Sequence, residues 1–369
     1  MRRIQFALTT VAVVTFVLLM VRGDEAAQDS EDSPLAPGIE WAYGYRVGPP
    51  IPENLPRPPQ RAKLTPQSPM RVPGSNVTCL NDTFDRPNDG SRDGELDICD
   101  WYPEDRGFTP IPSIVSRGRK VFFNPDGSWA GKEGIRACGQ CHLSTGAGRN
   151  ENSQPGGHSK AYILQQIEDF RRNLRNSADP EKDNTPRMTS YAKLMTREEI
   201  NQAADFFSSQ PYPPKGLERY VKVVETDTVP VARSNGGMFN VVYGAGDEPI
   251  GDRIIEIPQD AVRTGLRDGK SGFIAYVPPG SIAKGEALVA KARCELCHGP
   301  ELNGTAVAPT IAGRAASYLA RELYDFQAGT RRGKLSVLMR PVVADFTTED
   351  IRNIVSYVAN IAPKKRKER

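Results

Sequence analysis

The sequence has few histidines and cysteines and no strong excess of charge. Three histidines and six cysteines occur in 369 residues. The 48 basic and 45 acidic residues give a formal net charge of +3, which argues against nucleic acid or any strongly charged partner. No nucleic-acid motif is visible. Hydrophobic residues make up 38% of the chain, which is low but compatible with small cores in two or three domains.

A long apolar run is found near the N-terminus. Arg2-Arg3 precede the run from Phe6 to Val21, and Arg22-Gly23-Asp24 follow it, an order typical of a secretory signal. We therefore predict a signal peptide over residues 1–23. No Ala-x-Ala cleavage site is present, so cleavage before Asp24 and retention of the run as a membrane anchor both stay open. Both outcomes predict export.

Most of the cysteines and histidines fall into one motif that occurs twice. Cys138, Cys141 and His142 form the first Cys-x-x-Cys-His motif, and Cys294, Cys297 and His298 form the second. Two cysteines three apart lie on one helical turn, where both sulfurs can bond the vinyl groups of a porphyrin while the imidazole reaches its iron. The motifs predict two covalently attached haem c groups.

The two remaining cysteines are Cys79 and Cys99. In an exported chain this pair is expected to form a disulfide that closes a loop rich in Asp, Asn and Gly. A reactive thiol pair or a metal site is the alternative, but no histidine lies near either cysteine in the sequence.

The two motifs belong to an internal repeat. Their first cysteines are 156 residues apart (294 − 138), and the same offset aligns further residues without a gap. The aligned segments are Tyr162-Ile163-Leu164 with Tyr318-Leu319-Ala320, Asp169-Phe170 with Asp325-Phe326, and Gly157 with Gly313. Both copies have helical periodicity after the motif and a last helix that begins at a threonine cap, Thr196 in the first copy and Thr347 or Thr348 in the second.

The repeat also selects a second axial ligand for each iron. Met339 follows the second motif and lies twelve residues before Ile351 of the last helix (351 − 339). In the first copy Met188 has the same spacing to Ile200 (200 − 188), whereas Met195 aligns with Phe346 and is expected to be a core residue. We expect the loops that carry Met188 and Met339 to bring sulfur over the iron, because His with Met is the pairing that raises the potential.

Three polar side chains are candidates for the haem propionates. Tyr162, Tyr318 and Arg314 follow the motifs at matching positions and can donate hydrogen bonds or a charge. His158 aligns with Arg314, and we expect it at the surface or facing a propionate, with a role as a spare axial ligand as the alternative.

The chain divides into six segments. After the signal, residues 24–113 form a Pro- and Gly-rich extension that wraps over other parts, 114–213 the first repeat, 214–280 a connector with short strands, 281–363 the second repeat, and 364–369 a basic tail. The tail and a retained N-terminus are two ways in which the protein could associate with a membrane.

Between about residues 114 and 363 the chain resembles the two-domain, diheme class I cytochromes c. The two motifs, the Tyr-x-x-x-x-x-x-Asp-Phe helices, Met188 and Met339 carry this resemblance. It implies a mainly α fold of two tandem cytochrome c domains related by a pseudo-twofold axis, and electron transfer in the periplasm. Pro309 stands where the family uses a proline carbonyl to orient the haem-binding histidine. Ser153 occupies this place in the first copy, so the resemblance does not carry that hydrogen bond over to His142.

The predicted function is that of an electron carrier and not of an enzyme. If a methionine caps each iron, no coordination position is open for a substrate. The expected partners are redox protein donors and acceptors, including a membrane-bound oxidase or dehydrogenase. The alternatives are a cytochrome subunit of a dehydrogenase or oxidase complex and a diheme peroxidase-like enzyme, which would need an open or labile site.

Overall fold

A computed structural model describes residues 34–48, 51, 70–71, 78–79, 91–92, 111–116, 118–119, 121–122, 134–235, 238–265 and 267–364. The predicted signal peptide, Cys99 and residues 365–369 of the predicted tail lie outside this part of the chain. The Cys79–Cys99 disulfide therefore stays a prediction. Among the helices of the described residues, none has the length and apolarity needed to cross a membrane.

The described residues are mainly α-helical. The helices are α1 (Glu40–Tyr43), α2 (Ser113–Ser116), α3 (Gly139–His142), α4 (Lys160–Arg171), α5 (Asn184–Leu194), α6 (Arg197–Ser209), α7 (Ala261–Gly265), α8 (Ser281–Lys291), α9 (Glu295–His298), α10 (Ala316–Gln327), α11 (Ser336–Val343) and α12 (Thr348–Asn360). A single 3₁₀ turn at Pro300–Leu302 follows α9.

The strands are short. They are β1 (Met70–Arg71), β2 (Thr78–Cys79), β3 (Ser91–Arg92), β4 (Gly118–Arg119), β5 (Val121–Phe122), β6 (Ile135–Arg136), β7 (Val221–Glu225), β8 (Thr228–Pro230), β9 (Ala232–Asn235), β10 (Met238–Val241), β11 (Asp247–Pro249), β12 (Ile255–Pro258) and β13 (Phe273–Val277). In the connector β13 pairs in parallel with β7 and antiparallel with β12. The hairpin partners β9 and β10 and the pair β8 and β11 are antiparallel.

The first repeat packs α2, α4, α5 and α6 around one apolar core. Ser159 caps α4 by accepting from the backbone N–H of Tyr162 at 3.2 Å. Thr196 and Glu199 form a capping box at the start of α6, as the sequence predicted. The buried faces of α4 and α6 contribute Ile163, Ile167, Ile200 and Phe207 to this core. The two caps fix the residues at which α4 and α6 begin. The core that these helices form supports the motif helix α3.

The second repeat is built on the crossing of α8 and α12. At Gly285 a Cβ atom would lie 2.0 Å from the carbonyl oxygen of Asn353, so only glycine allows the two backbones to approach this closely. Of the two candidate caps of α12, Thr347 is the one that accepts from the N3 amide, that of Asp350. This crossing places α9 and its motif at the end of α8.

The connector caps a helix of the second repeat. No side chain of its own caps α10. Instead, the buried carboxylate of Glu256 in β12 accepts hydrogen bonds from the backbone N–H groups of Ala316 (2.8 Å) and Ser317 (3.0 Å). A carboxylate at a helix N-terminus satisfies open donors and interacts favourably with the helix dipole.

The segment around α1 packs against the second repeat. Trp41, Tyr43 and Tyr45 are at most 3% exposed and belong to the same core as α10 and α12. The hydroxyl of Tyr43 donates to Asp325 at 2.7 Å. Arg46 pairs with Glu248 of β11 at 2.7 Å, and both side chains are buried. These contacts join residues of the N-terminal extension to α10 and to the connector.

A short backbone bridge connects the two repeats. Arg175 and Arg331 form an antiparallel bridge, in which the N–H of Asn176 donates to Thr330 (3.1 Å) and the N–H of Arg332 donates to Leu174 (2.6 Å). Arg175 also donates to the carboxylate of Glu322 at 2.5 Å, and Arg331 pairs with the same carboxylate. Arg175 and Arg331 are themselves 156 residues apart (331 − 175).

Candidate haem sites

Each motif lies on a short helix that places its three functional side chains on one turn. Cys138 precedes α3, which contains Cys141 and ends at His142. Cys294 precedes α9 in the same way, and His298 is its last residue. Each histidine donates its backbone N–H to the carbonyl of the first cysteine of its motif, at 3.0 Å in both copies. The same residue spacing therefore gives the same local backbone geometry in both motifs.

Both motif histidines are held by a backbone carbonyl. His298 Nδ1 lies 2.8 Å from the carbonyl oxygen of Pro309, and His142 Nδ1 lies 3.0 Å from that of Ser153. A carbonyl oxygen only accepts, so Nδ1 carries the proton and Nε2 is left with a lone pair for iron. The hydrogen bond that the resemblance did not carry over to His142 is therefore present. Its acceptor is a main-chain atom, which serine supplies as well as proline.

Electrostatics keep both imidazoles neutral. Burial lowers the pKa of His142 and of His298, and the carbonyl acceptors oppose this only in part. A neutral imidazole is the form that binds a metal. Burial also raises the pKa of Cys138 to about 12. Since reactive or redox-active cysteines have a lowered pKa, this environment does not favour a thiolate function for Cys138.

A cavity opens beside the first motif. Its walls include Cys138, Cys141 and His142, and also Met188 and Met195. Ile163, Ile167 and Phe207 supply apolar surface to the same walls. An apolar cavity lined by a histidine with an available Nε2 and by thioethers fits a haem group, whose iron needs ligands on both faces.

Both methionines of the first repeat reach this cavity. Met188 is half-buried, and Met195, at the end of α5, is 4% exposed and belongs to the core. The core position expected for Met195 is thus observed, although this side chain also contacts the cavity. The choice of Met188 as iron ligand rests on the repeat spacing and stays a prediction.

The two predicted methionine ligands lie in helices and not in loops. Met188 is in α5 and Met339 is in α11. Pro186 is tolerated in α5 because it lies in the first turn, where the backbone N–H has no partner within the helix. Met339 is half-buried next to the exposed Val337 and Leu338. Its role as the ligand of the second iron also stays a prediction.

The three candidate propionate partners have different surroundings. Tyr162 and Tyr318 line the cavity, and Tyr162 accepts from Arg331 at 3.2 Å. Arg314 is 1% exposed and donates to the carbonyl oxygens of Gln154 (2.6 Å) and Gly156 (2.8 Å). The guanidinium of Arg314 thus joins the second repeat to a loop of the first. Its assignment to a propionate remains a prediction.

His158 is not a surface residue. It is 6% exposed, lines the cavity of the first site, and packs its ring against that of Tyr162 with centroids 4.7 Å apart. The expectation of a surface position is wrong because the half-buried Tyr162 of α4 packs against the ring. A propionate-facing or ligand role for His158 stays a prediction.

Sequence reasoning missed the charged end of this cavity. Arg175, Lys182, Arg321 and Glu322 contribute to its walls, and the last two come from the second repeat. Arg175 could have been found from the repeat, because Arg331 stands 156 residues later. Lys182 has no counterpart that would have signalled it.

A helical fold with two such sites defines an electron-transfer protein with two covalently attached haem groups. Residues 282–362 match the family described as Cytochrome c. The chain is 33% identical over 88 residues to the cytochrome subunit of sulfide dehydrogenase from Chlorobaculum tepidum, covering 24% of this chain and 76% of that protein. The chain belongs to the cytochrome c family, in its diheme class I branch.

Two further likenesses cover different shares of the chain. Cytochrome c4 from Pseudomonas aeruginosa is 27% identical over 154 residues, which are 39% of this chain and 72% of that protein. The solved structure of thiosulfate dehydrogenase from Marichromatium purpuratum is 22% identical, with a TM-score of 0.40. That likeness covers 62% of this chain and spans only 37% of the other.

Proposed function

We propose that this protein relays single electrons between redox proteins and performs no reaction on a substrate itself. His142 and Met188 would bind the iron of the first haem, and His298 and Met339 that of the second. The haem supplies a one-electron couple, while the chain fixes its position, excludes water and sets the charge around it. The observation that carries the proposal is the pair of matching histidine sites. In each of them Nδ1 donates a hydrogen bond to a backbone carbonyl oxygen, which leaves the lone pair of Nε2 available to bind iron.

We further propose that residues 114–213 and 281–363 are two cytochrome c domains related by a pseudo-twofold axis. In support, the bridge between Arg175 and Arg331 joins positions that are equivalent in the repeat. The offset of 156 residues relates its two hydrogen bonds to each other. The donor Asn176 matches the donor Arg332, and the acceptor Leu174 matches the acceptor Thr330. Arg175 lies over the ring of Phe170 and Arg331 over that of Phe326, at 4.9 and 4.3 Å.

The propionate ends of the haem groups would lie toward this contact between the repeats. Tyr162 and Tyr318 line the cavity there, and the buried guanidinium groups of Arg175 and Arg321 supply positive charge. Hydrogen bonds and buried positive charge stabilise carboxylates in a cavity of low dielectric constant. We keep Arg314 as a third candidate partner, since it anchors the loop that precedes α4.

We place the protein in the periplasm. The basic N-terminus and the apolar run from Phe6 to Val21 support export, as does the attachment of haem through paired cysteines. Retention of the run, or the basic tail, would hold the protein at the outer face of the inner membrane.

The test is a spectroscopic redox titration of the mature protein. We expect two one-electron transitions, an absorption band of methionine-ligated ferric haem that integrates to two haems, and slow binding of cyanide. A high-spin haem that binds cyanide rapidly would contradict the proposal, because it would provide the open coordination position that an enzyme needs.

A second candidate function is that of a cytochrome subunit within a dehydrogenase complex. The identity to the cytochrome subunit of sulfide dehydrogenase favours it. Co-purification of a stoichiometric catalytic chain from the native membrane or periplasmic fraction would support this candidate. Recovery of the cytochrome as an isolated monomer that exchanges electrons with several redox proteins would support the relay.

A further inference from the structure

Lys182 is a buried lysine on the wall of the first haem cavity. Its side chain is 7% exposed and lies in the turn before α5. Within the described part of the chain its ammonium group takes part in no ion pair or side-chain hydrogen bond. Burying an ammonium group without a partner costs free energy, which favours the neutral amine.

The nearby carboxylates interact with groups other than Lys182. Asp179 accepts from the hydroxyl of Tyr45 (3.2 Å) and Asp325 accepts from that of Tyr43 (2.7 Å). Glu151 forms an ion pair with Arg149 through Oε1, while its buried Oε2 has no hydrogen-bond partner among the described residues. Arg321 of α10 is the positive group that lowers the pKa of Lys182, and its guanidinium donates to the carbonyl oxygens of Ala42 and Asn150. Within the described residues, none of these three carboxylates forms an ion pair with Lys182.

This environment makes Lys182 titrate near neutral pH. Burial and, to a smaller extent, the charge of Arg321 lower its pKa to about 7, although Glu151, Asp179 and Asp325 oppose the shift. The amine and the ammonium form are thus both accessible under ordinary conditions. Other titratable groups on the walls of the same cavity are Arg136, His142, His158, Tyr162, Arg175, Arg187, Tyr191, Tyr318 and Glu322, besides the motif cysteines.

The second repeat has no equivalent group. The offset that relates Met188 to Met339 (339 − 188 = 151) relates Lys182 to Gly333. Glycine has no side chain that could titrate, and a Cβ atom at this position would lie 1.9 Å from Oδ2 of Asp169, so the Asp169 side chain would have to move to admit one. The lysine is therefore a feature of the first site alone.

We propose that Lys182 takes up one proton when the haem at His142 is reduced, so that electron uptake at the first site is coupled to proton uptake. The inference rests on the proposed function only in requiring that this haem be redox-active. The electron comes from the donor protein, the proton comes from solvent, and the neutral amine becomes ammonium. No other bond forms or breaks.

The physical reason is the charge of the reduced iron. One-electron reduction removes one positive charge from the haem, and in a cavity of low dielectric constant this favours a positive charge on the wall. The pKa of Lys182 then rises on reduction. Consider a pH between the pKa of Lys182 in the oxidised protein and its pKa in the reduced protein. In this range the potential of the haem falls as the pH rises, by at most about 59 mV for each tenfold change in proton concentration.

The experiment is a spectroelectrochemical titration of the holoprotein from about pH 5 to about pH 9, a range that brackets the expected transition. In the wild type the potential of the first haem should fall with rising pH and that of the second should stay level. In Lys182→Met the potential of the first haem should not depend on pH and should stay near the low value that the wild type has at high pH. In Lys182→Arg it should not depend on pH either and should stay near the high value that the wild type has at low pH, because a guanidinium keeps its charge throughout this range. Lys193→Met is the matched control, since Lys193 is exposed on the neighbouring α5, and it should behave as the wild type.

Two results would overturn the proposal. The first is a wild-type potential that does not depend on pH, or a slope that survives in Lys182→Met. The second is loss of the methionine-ligation band in Lys182→Met, which would mean that the lysine acts through the iron ligands. Failure of the proposed function would look different, as only one haem, or none, would titrate as a one-electron couple.

Discussion

The two haem sites share a motif and differ in what covers it. At the first, Arg267 of the connector donates to the carbonyl oxygen of Gln140 (2.5 Å), and Thr145 donates to that of Gly269 (3.1 Å). At the second, Leu296 occupies the position of Gln140 (296 − 156) and is 75% exposed. Because connector residues contact the motif helix of the first copy while Leu296 of the second is exposed, the same motif has two different environments.

The helices that carry the methionines show the same contrast. Around Met339 the large apolar side chains of Val337, Leu338 and Val342 are exposed. Tyr191, which corresponds to Val342 by the offset of the methionines (342 − 151), is 9% exposed and part of the first core. The first site is thus enclosed and surrounded by buried charges, whereas the second presents apolar surface, a feature that marks interaction sites.

The largest expected effect is loss of one haem. Cys294→Ser combined with Cys297→Ser should remove both thioether bonds at the second site and reduce covalent haem by about half, since each motif attaches its own group. Haem staining of a denaturing gel measures this. Cys138→Ser combined with Cys141→Ser is the matched variant. Unchanged staining in either double variant would contradict the assignment of that motif.

The next effect is on the iron ligands. Met188→Leu and Met339→Leu should each remove one half of the methionine-ligation band, lower the potential of one haem and leave the other unchanged, because each opens one coordination position. Met195→Leu is the control, since its sulfur lines the same cavity but is expected to be a core group. If Met195→Leu were the variant that lost the band, the repeat alignment would have selected the wrong sulfur.

A smaller effect is expected at the contact between the repeats. Arg331→Met removes a buried partner of Glu322 but leaves Arg175 on the same carboxylate. We expect a loss of about 1–3 kcal/mol in the free energy of unfolding, less than for a fully unpaired buried charge. Denaturant titration measures it. Arg332→Met, at an exposed neighbouring position, should change stability by less than about 0.5 kcal/mol, and equal losses in both variants would argue against the buried pair.

The smallest effect concerns the helix caps. Thr196→Ala and Thr347→Ala each remove the side-chain acceptor of a capping box and should cost about 1 kcal/mol of stability. Thermal unfolding would show whether the two repeats respond alike. Thr348→Ala should leave the cap of α12 intact, so a loss as large as that of Thr347→Ala would show that the box is not the stabilising element.

Local patterns explain why much of the helical part could be predicted. The caps at Thr196 and Thr347, the strands near residues 221–225 and 255–258, and the geometry of both motif helices follow from spacing and from neighbouring residues. The hydrogen bond of His142 was not predicted because the family pattern has a proline where this chain has Ser153. The acceptor is the backbone carbonyl, which both residue types provide. Lys182 was missed because the cavity that it lines is formed partly by α10, which lies far away in the sequence.

The sequence by itself determined the two haem motifs, their separation of 156 residues and the class of protein that they define, because attachment chemistry depends on residues three and four apart. Only the tertiary structure decided how the copies differ. The capping of α10 by Glu256, the cover of α3 by Arg267 and the burial of Lys182 all join segments distant in the chain. Such contacts depend on how helices pack, and packing depends on shape and volume across the whole fold.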